Sequence, residues 1–217
     1  IKEILYYVKF NLKYRNSKRV LIKDPISIFS ADWINKKFST QNIIIYRKPE
    51  SFIASLKNNN WHFDFNNFLK QEEFVSNELS EYKQEIDFHS KNHNKNKNDL
   101  ISSSVLLWKI LAEKIIFYKK NYPNWKFFSY EDLSNHPQKN FKVLFKYLDI
   151  DFNKKVIDFI KKTTSYKNYN DRDSVNVNMV MRDINTHQNS WKNRLNAHEI
   201  NYISSETKLL VKKLYDK

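Results

Sequence analysis

The stretch Gln41–Ser55, QNIIIYRKPESFIAS, decides how the chain is read. Ile43, Ile44 and Ile45 form an unbroken β-branched run. With no polar alternation, it predicts a strand covered on both faces, as in a parallel sheet. The run stops at Tyr46, and Arg47 falls at the strand's carboxyl end. Pro49 suits the first position of a helix and Glu50 its first turn, where an acid meets the positive end of the dipole. Ser51 and Ser55, four apart, share one face of that helix. In open α/β sheets ligands bind at the carboxyl ends of strands, where a helix N-terminus favours anions. A guanidinium at the strand end and a hydroxyl two turns into the helix make a grip for one phosphate. A surface arginine beside an ordinary helix start fits the same residues, and the segment alone does not choose.

The elements on either side extend the pattern. Arg19–Ile22 (RVLI) reads as a short buried strand ended by Lys23-Asp24-Pro25. Asp24 or Ser27 is placed to cap a helix that carries Ile28, Phe29, Trp33, Ile34 and Phe38 toward the core. Strand, helix and second strand make a βαβ unit, expected to be parallel and right-handed. Upstream, Ile1, Ile4, Leu5, Val8 and Leu12 recur at helical spacing. Downstream, Trp61–Leu69 reads as a loop and short helix, and Glu72–His89 as one helix with Phe74, Leu79, Tyr82 and Ile86 on a face. Lys91–Asp99 is polar and low in complexity, a solvated loop. Ser102–Lys120 is a strong helix, with Val105, Leu106, Trp108, Ile110, Ile115 and Phe117 as its buried residues. Trp125–Ser129 (WKFFS) predicts a third strand, Pro137 opens a helix to Leu148, and Val156–Lys162 is another. Thr163–Asn196 is polar and irregular, and loops of that length usually serve a site. Glu199–Tyr215 closes the pattern as an amphipathic helix.

Composition narrows the chemistry. A chain of 217 residues suits one α/β domain with its own core, and 16% aromatic content argues for a packed globule. The formal charge of +14 is compatible with a polyanion. Its Lys and Arg are scattered rather than striped, and Lys, Asn and Ile are inflated together, so nucleic acid is not the expected partner. The absence of Cys excludes disulfides, a thiolate metal site and a cysteine nucleophile. The absence of Gly excludes a Gly-rich phosphate loop within these residues. His89 and His93 have the spacing of a two-His metal face, but no third ligand accompanies them, and no metal is expected. No apolar run approaches a membrane span and no Asn-x-Ser/Thr acceptor occurs. The expectation is a cytoplasmic protein; its oligomeric state is not legible.

Three separated segments then align in one order. They are LIKDP with IIIYRKPESFIASL, FFSYEDL with the helix ending YLDI (Phe127–Ile150), and SWKNRLNAHEI (Ser190–Ile200). Together they resemble the sulfotransferase family, and most closely a bacterial branch of it. These enzymes move a sulfuryl group from PAPS (3′-phosphoadenosine 5′-phosphosulfate) to a hydroxyl. The resemblance runs from about Lys18 to Tyr215. It implies a P-loop-NTPase-like three-layer fold, a short parallel sheet flanked by helices, and PAPS as donor. It matches Arg47 and Ser55 to the residues that hold the donor's 3′-phosphate. Tyr130 would lie near the adenine, though a packed tyrosine at a strand end fits equally. Arg182 or Lys192 would cover the phosphates from the late loop.

The family's 5′-phosphosulfate loop contains glycine and precedes these motifs, so it has no counterpart in this sequence. The expectation is therefore the carboxyl-terminal portion of such a domain, without the amino-terminal strand and loop and not competent alone. The implied reaction is in-line displacement by an acceptor hydroxyl, on a carbohydrate or lipid by analogy with the family. Asp24 is the one candidate for general base, with capping as its other role. The alternative is a non-catalytic basic module binding nucleic acid or an anionic polysaccharide. A nucleotide kinase of related fold would need a Walker-type loop, which these residues lack.

Overall fold

The computed structural model describes residues 19–24, 27–92, 100–164 and 189–216. The predicted helix within residues 1–16, most of the Lys91–Asp99 loop and most of the Thr163–Asn196 segment lie outside them. A 3-10 turn, Ser27–Ser30, leads into α1 (Ala31–Phe38). Strand β1 (Ile43–Tyr46) is followed by α2 (Pro49–Asn58), with Pro49 in its first turn as the sequence predicts. Helices α3 (Asn66–Leu69), α4 (Glu72–Glu78), α5 (Lys83–Asn92) and α6 (Leu100–Asn121) come next. Strand β2 (Lys126–Ser129) runs directly into α7 (Tyr130–Asn135), then α8 (Pro137–Tyr147) and α9 (Lys154–Thr164). A 3-10 turn, Ser190–Asn193, precedes the closing helix α10 (Ala197–Tyr215).

The architecture is mostly helical around a parallel β1–β2 pair, an α/β arrangement in that broad sense. The register pairs Ile43 with Lys126 and Tyr46 with Ser129, so Arg47 and Tyr130 emerge from the same end of neighbouring strands. Parallel strands need a long crossover, and here it is everything from Arg47 to Trp125.

Helix α6 is the spine. Its Leu106, Leu107 and Ile110 join Phe65, Phe68, Val75, Leu79, Tyr82 and Ile86 in one cluster. Val105 meets Ile53, Ala54, Leu195 and Ile203 in a second. Trp108, Ala112 and Ile115 meet Leu214 in a third, against which Ile44, Tyr46 and Phe127 of the sheet pack. A 22-residue helix that is apolar over most of its circumference belongs in the interior.

Several expectations are corrected. Residues Arg19–Ile22 form no strand, and Leu21 is 87% exposed. Arg19 instead donates to the Leu148 carbonyl and lies 3.8 Å from Asp149. The expected βαβ unit is thus replaced by β1–β2, because an apolar triad becomes a strand only where a ladder receives it. Nor is β1 covered on both faces. Ile44 and Tyr46 point to the Trp108 cluster while Ile45 is 56% exposed, the period of two that any strand imposes. Glu72–His89 is not continuous: the backbone turns at Leu79 (φ −120°) and runs through the 3-10 turn Ser80–Tyr82 before α5. The break still lets Leu79, Tyr82 and Ile86 reach one core. Trp33, Phe38 and Phe117 are exposed rather than buried, and the first two pair edge-to-face at 6.1 Å.

The start of α10 is fixed by a capping box. Asn196 accepts from the Glu199 N–H at 2.9 Å, and Glu199 accepts from the Asn196 N–H at 2.8 Å. Lys57 at the end of α2 reaches the same carboxylate at 2.7 Å. Burial alone raises the Glu199 pKa, but the Lys57 hydrogen bond, the Asn196 N–H and the Lys57 and His198 charges outweigh it and hold it below the ordinary value. A carboxylate lowered in the folded state stabilises above its unfolded pKa, and that contribution is lost as pH falls through the folded one. Chemical denaturation between about pH 5 and pH 3 therefore shows a steeper loss of stability in the wild type than in Glu199→Gln. Equal slopes would contradict the assignment.

Candidate functional site

The carboxyl ends of β1 and β2 bring Arg47 and Tyr130 together. The Arg47 guanidinium carbon sits 4.6 Å from the centre of the Tyr130 ring, a cation–π contact that holds a flexible side chain at the strand end. Both residues are half-buried. The chain turns here because Lys48, extended at φ −58° and ψ 146°, is the N-cap of α2 and Pro49 cannot donate an N–H. The first turn of α2 thus starts beside the guanidinium.

The peptide between Arg47 and Lys48 is held at both ends. Trp108 Nε1–H donates to the Arg47 carbonyl at 2.9 Å. The Lys48 N–H donates to Glu131 Oε1 at 3.1 Å. Glu131 Oε2 accepts from the Tyr215 hydroxyl at 3.3 Å. The Tyr215 ring meets Tyr46 edge-on at 5.2 Å, and Lys119 Nζ donates to the Tyr46 hydroxyl at 3.1 Å and to the Leu214 carbonyl at 2.7 Å. Burial, then the charges of Asp132 and Glu131, push the Tyr46 pKa up to about 12, and burial followed by the Glu131 charge raises Tyr215 as well. Burial lowers Lys119. Both hydroxyls stay protonated at neutral pH; Tyr215 donates to Glu131 and Tyr46 accepts from Lys119.

Ser129 serves two elements at once, as the last residue of β2 and the N-cap of α7, accepting from the Asp132 N–H at 3.0 Å. This short bend places Tyr130 one step beyond the sheet. Ser51 is buried on α2, while Ser55, one turn further, is half-buried. The turn Ser190–Asn193 packs against α2, where Trp191 and Leu195 meet Ile53 and Ala54. Lys192 is carried there, exposed, 5.8 Å from the Trp191 ring centre. Arg182 lies outside the described residues.

Asp24 lies at the turn that leads into α1. Its exposed carboxylate accepts from the Ser27 N–H at 3.3 Å, and the Ser27 hydroxyl donates back to its carbonyl at 3.0 Å, the geometry of a cap on the turn that starts α1. His89 is a core histidine between Phe65 and Phe88, and its sequence partner His93 lies outside the described residues. Among the described residues no group of His, Asp and Glu has the arrangement to hold a metal. None of their helices is long and apolar enough to cross a membrane. Of the aromatics that follow α2, Phe63 packs on Phe65 and Phe68, and Trp61 is exposed.

Sequence reading missed Glu131, Trp108 and Tyr215 as members of this site. Tyr-Glu-Asp after a strand-ending Ser carried a cap signal, but no local signal joins Glu131 to Tyr215, 84 residues away. No family model matches the chain, and no curated protein and no solved structure matches it.

Proposed function

We propose that the Arg47–Tyr130 end of the sheet binds the adenosine 3′,5′-bisphosphate part of PAPS, and that the chain belongs to a sulfotransferase acting on a hydroxyl acceptor, of carbohydrate or lipid type. The observation that carries this reading is the guanidinium held over an aromatic ring beside the start of α2, at the carboxyl ends of two parallel strands. The donor set fits a phosphate. Arg47 offers a planar fork that can pair with two oxygens, and Ser55 on α2 offers a hydroxyl. Tyr130 offers a ring for a base to lie against. Lys192 on the turn against α2 supplies a further cation, with Arg182 the other candidate from the late segment.

The nucleotide carries the sulfuryl group when bound; the residues named here orient it. In this reading Asp24 keeps the capping role of its geometry. The finer fold assignment, a P-loop-NTPase-like three-layer domain, belongs to the same proposal and rests on the order β1, α2, α6, β2 and on the parallel pairing.

A second reading has its own observation. Lys139, Lys142, Lys146, Lys154, Lys155, Lys161 and Lys162 are all exposed on α8 and α9, as a basic module binding an anionic polymer would have them. Calorimetric titration separates the two. The nucleotide site predicts saturable one-to-one binding of adenosine 3′,5′-bisphosphate. A polymer module predicts affinity for heparin or single-stranded DNA that falls steeply with salt and ignores Arg47. Steep polymer binding without nucleotide binding would overturn the first reading.

A further inference from the structure

The carbonyl of Arg47 and the N–H of Lys48 belong to one peptide unit, and both of its polar groups are occupied by side chains from distant elements. Trp108 of α6 takes the carbonyl and Glu131 of α7 takes the N–H. Fixing that plane fixes the direction in which Arg47 leaves the strand, since a trans peptide leaves only φ and ψ to turn. Glu131 is oriented in turn, because its second oxygen accepts from Tyr215 in the last turn of α10. Tyr215 is seated by its ring contact with Tyr46, and the residue before it is tied by its carbonyl to Lys119. A continuous chain of contacts therefore joins the end of the last helix to the guanidinium.

We propose that Tyr215, acting through Glu131, is a positioning residue for Arg47, so that the docked end of α10 sets how tightly the strand end grips a phosphate. Neither residue touches the ligand. The proposal rests on the nucleotide reading for its ligand, while its structural half stands on the Arg47–Lys48 peptide alone. Tyr215 supplies what a phenylalanine cannot, a hydroxyl on Glu131, and Phe keeps the ring against Tyr46.

The experiment uses the full chain, labelled with ¹⁵N, as wild type, Tyr215→Phe, Glu131→Ala and the exposed α10 control Leu209→Ala. Two signals are read without ligand, the Trp108 indole N–H and the Lys48 amide. Both are expected to shift and to exchange faster in Tyr215→Phe and Glu131→Ala, and to stay put in Leu209→Ala. Titration with adenosine 3′,5′-bisphosphate should then weaken about three- to tenfold in Tyr215→Phe, the worth of one ordinary hydrogen bond. Affinity for 5′-AMP, which lacks the 3′-phosphate, should hold. A merely structural role would lower both affinities together. Unchanged Trp108 and Lys48 signals in the two variants would overturn the proposal. A wild type that binds no bisphosphate would remove the ligand and the nucleotide reading with it, and the two signals would then decide the positioning claim by themselves.

Discussion

Arg47→Ala is expected to abolish the thermal protection that adenosine 3′,5′-bisphosphate gives the chain. A ligand at a hundred times its dissociation constant stabilises a folded protein by about 2.7 kcal/mol. For a chain of this size that is a rise of roughly 5–10 °C in melting temperature. Charged hydrogen bonds are worth about 1.5–3 kcal/mol each, so losing the two of a bidentate fork weakens binding by about a hundredfold or more. At the same ligand concentration the protection then shrinks to about 1 °C. Arg47→Lys should fall between, since it keeps the charge and loses the fork. The ligand-free melting temperatures separate this effect from the loss of the Tyr130 contact. Full protection retained in Arg47→Ala would remove the residue from the site.

Leu106→Ala should produce the largest loss of stability. Leu106 is fully buried on the helix that enters all three core clusters. Replacing such a leucine costs about 2–5 kcal/mol, part transfer and part cavity. That is a large share of the roughly 5–15 kcal/mol typical of a domain, and it should lower the melting temperature by about 5–15 °C. Leu209→Ala, on the exposed side of α10, should change stability by no more than about 0.5 kcal/mol. A loss below about 1 kcal/mol at Leu106 would contradict the view of α6 as the spine.

What the sequence disclosed was local. The Pro49 start of α2, the long helix α6 and the strand–turn before Tyr130 each follow from neighbouring residues, and each lies close to where it was expected. Pairing was not disclosed. Composition makes RVLI and IIIY equally strand-like, yet among the described residues only the second has a partner, and that partner lies beyond five helices and a 3-10 turn. Exposure was lost for the same reason: three consecutive isoleucines look buried throughout, and the pleat still turns Ile45 outward. At the site, Arg47 and Tyr130 were named from separate motifs, and the register of β1 and β2 brings them together. The acid and the two aromatic donors that set the Arg47 turn come from α6, α7 and the end of α10. No spacing rule connects residues that far apart.

The central claim is that Arg47 recognises the 3′-phosphate of a nucleotide. The measurement that reaches it most directly is a cycle of four affinities, taken by calorimetry at one salt concentration: adenosine 3′,5′-bisphosphate and 5′-AMP, each on the wild type and on Arg47→Met, which keeps an apolar stem against Tyr130. The account predicts a clear preference for the bisphosphate in the wild type that collapses to near unity in Arg47→Met, with 5′-AMP little changed. A preference that survives the substitution, or one that never appears, would contradict it.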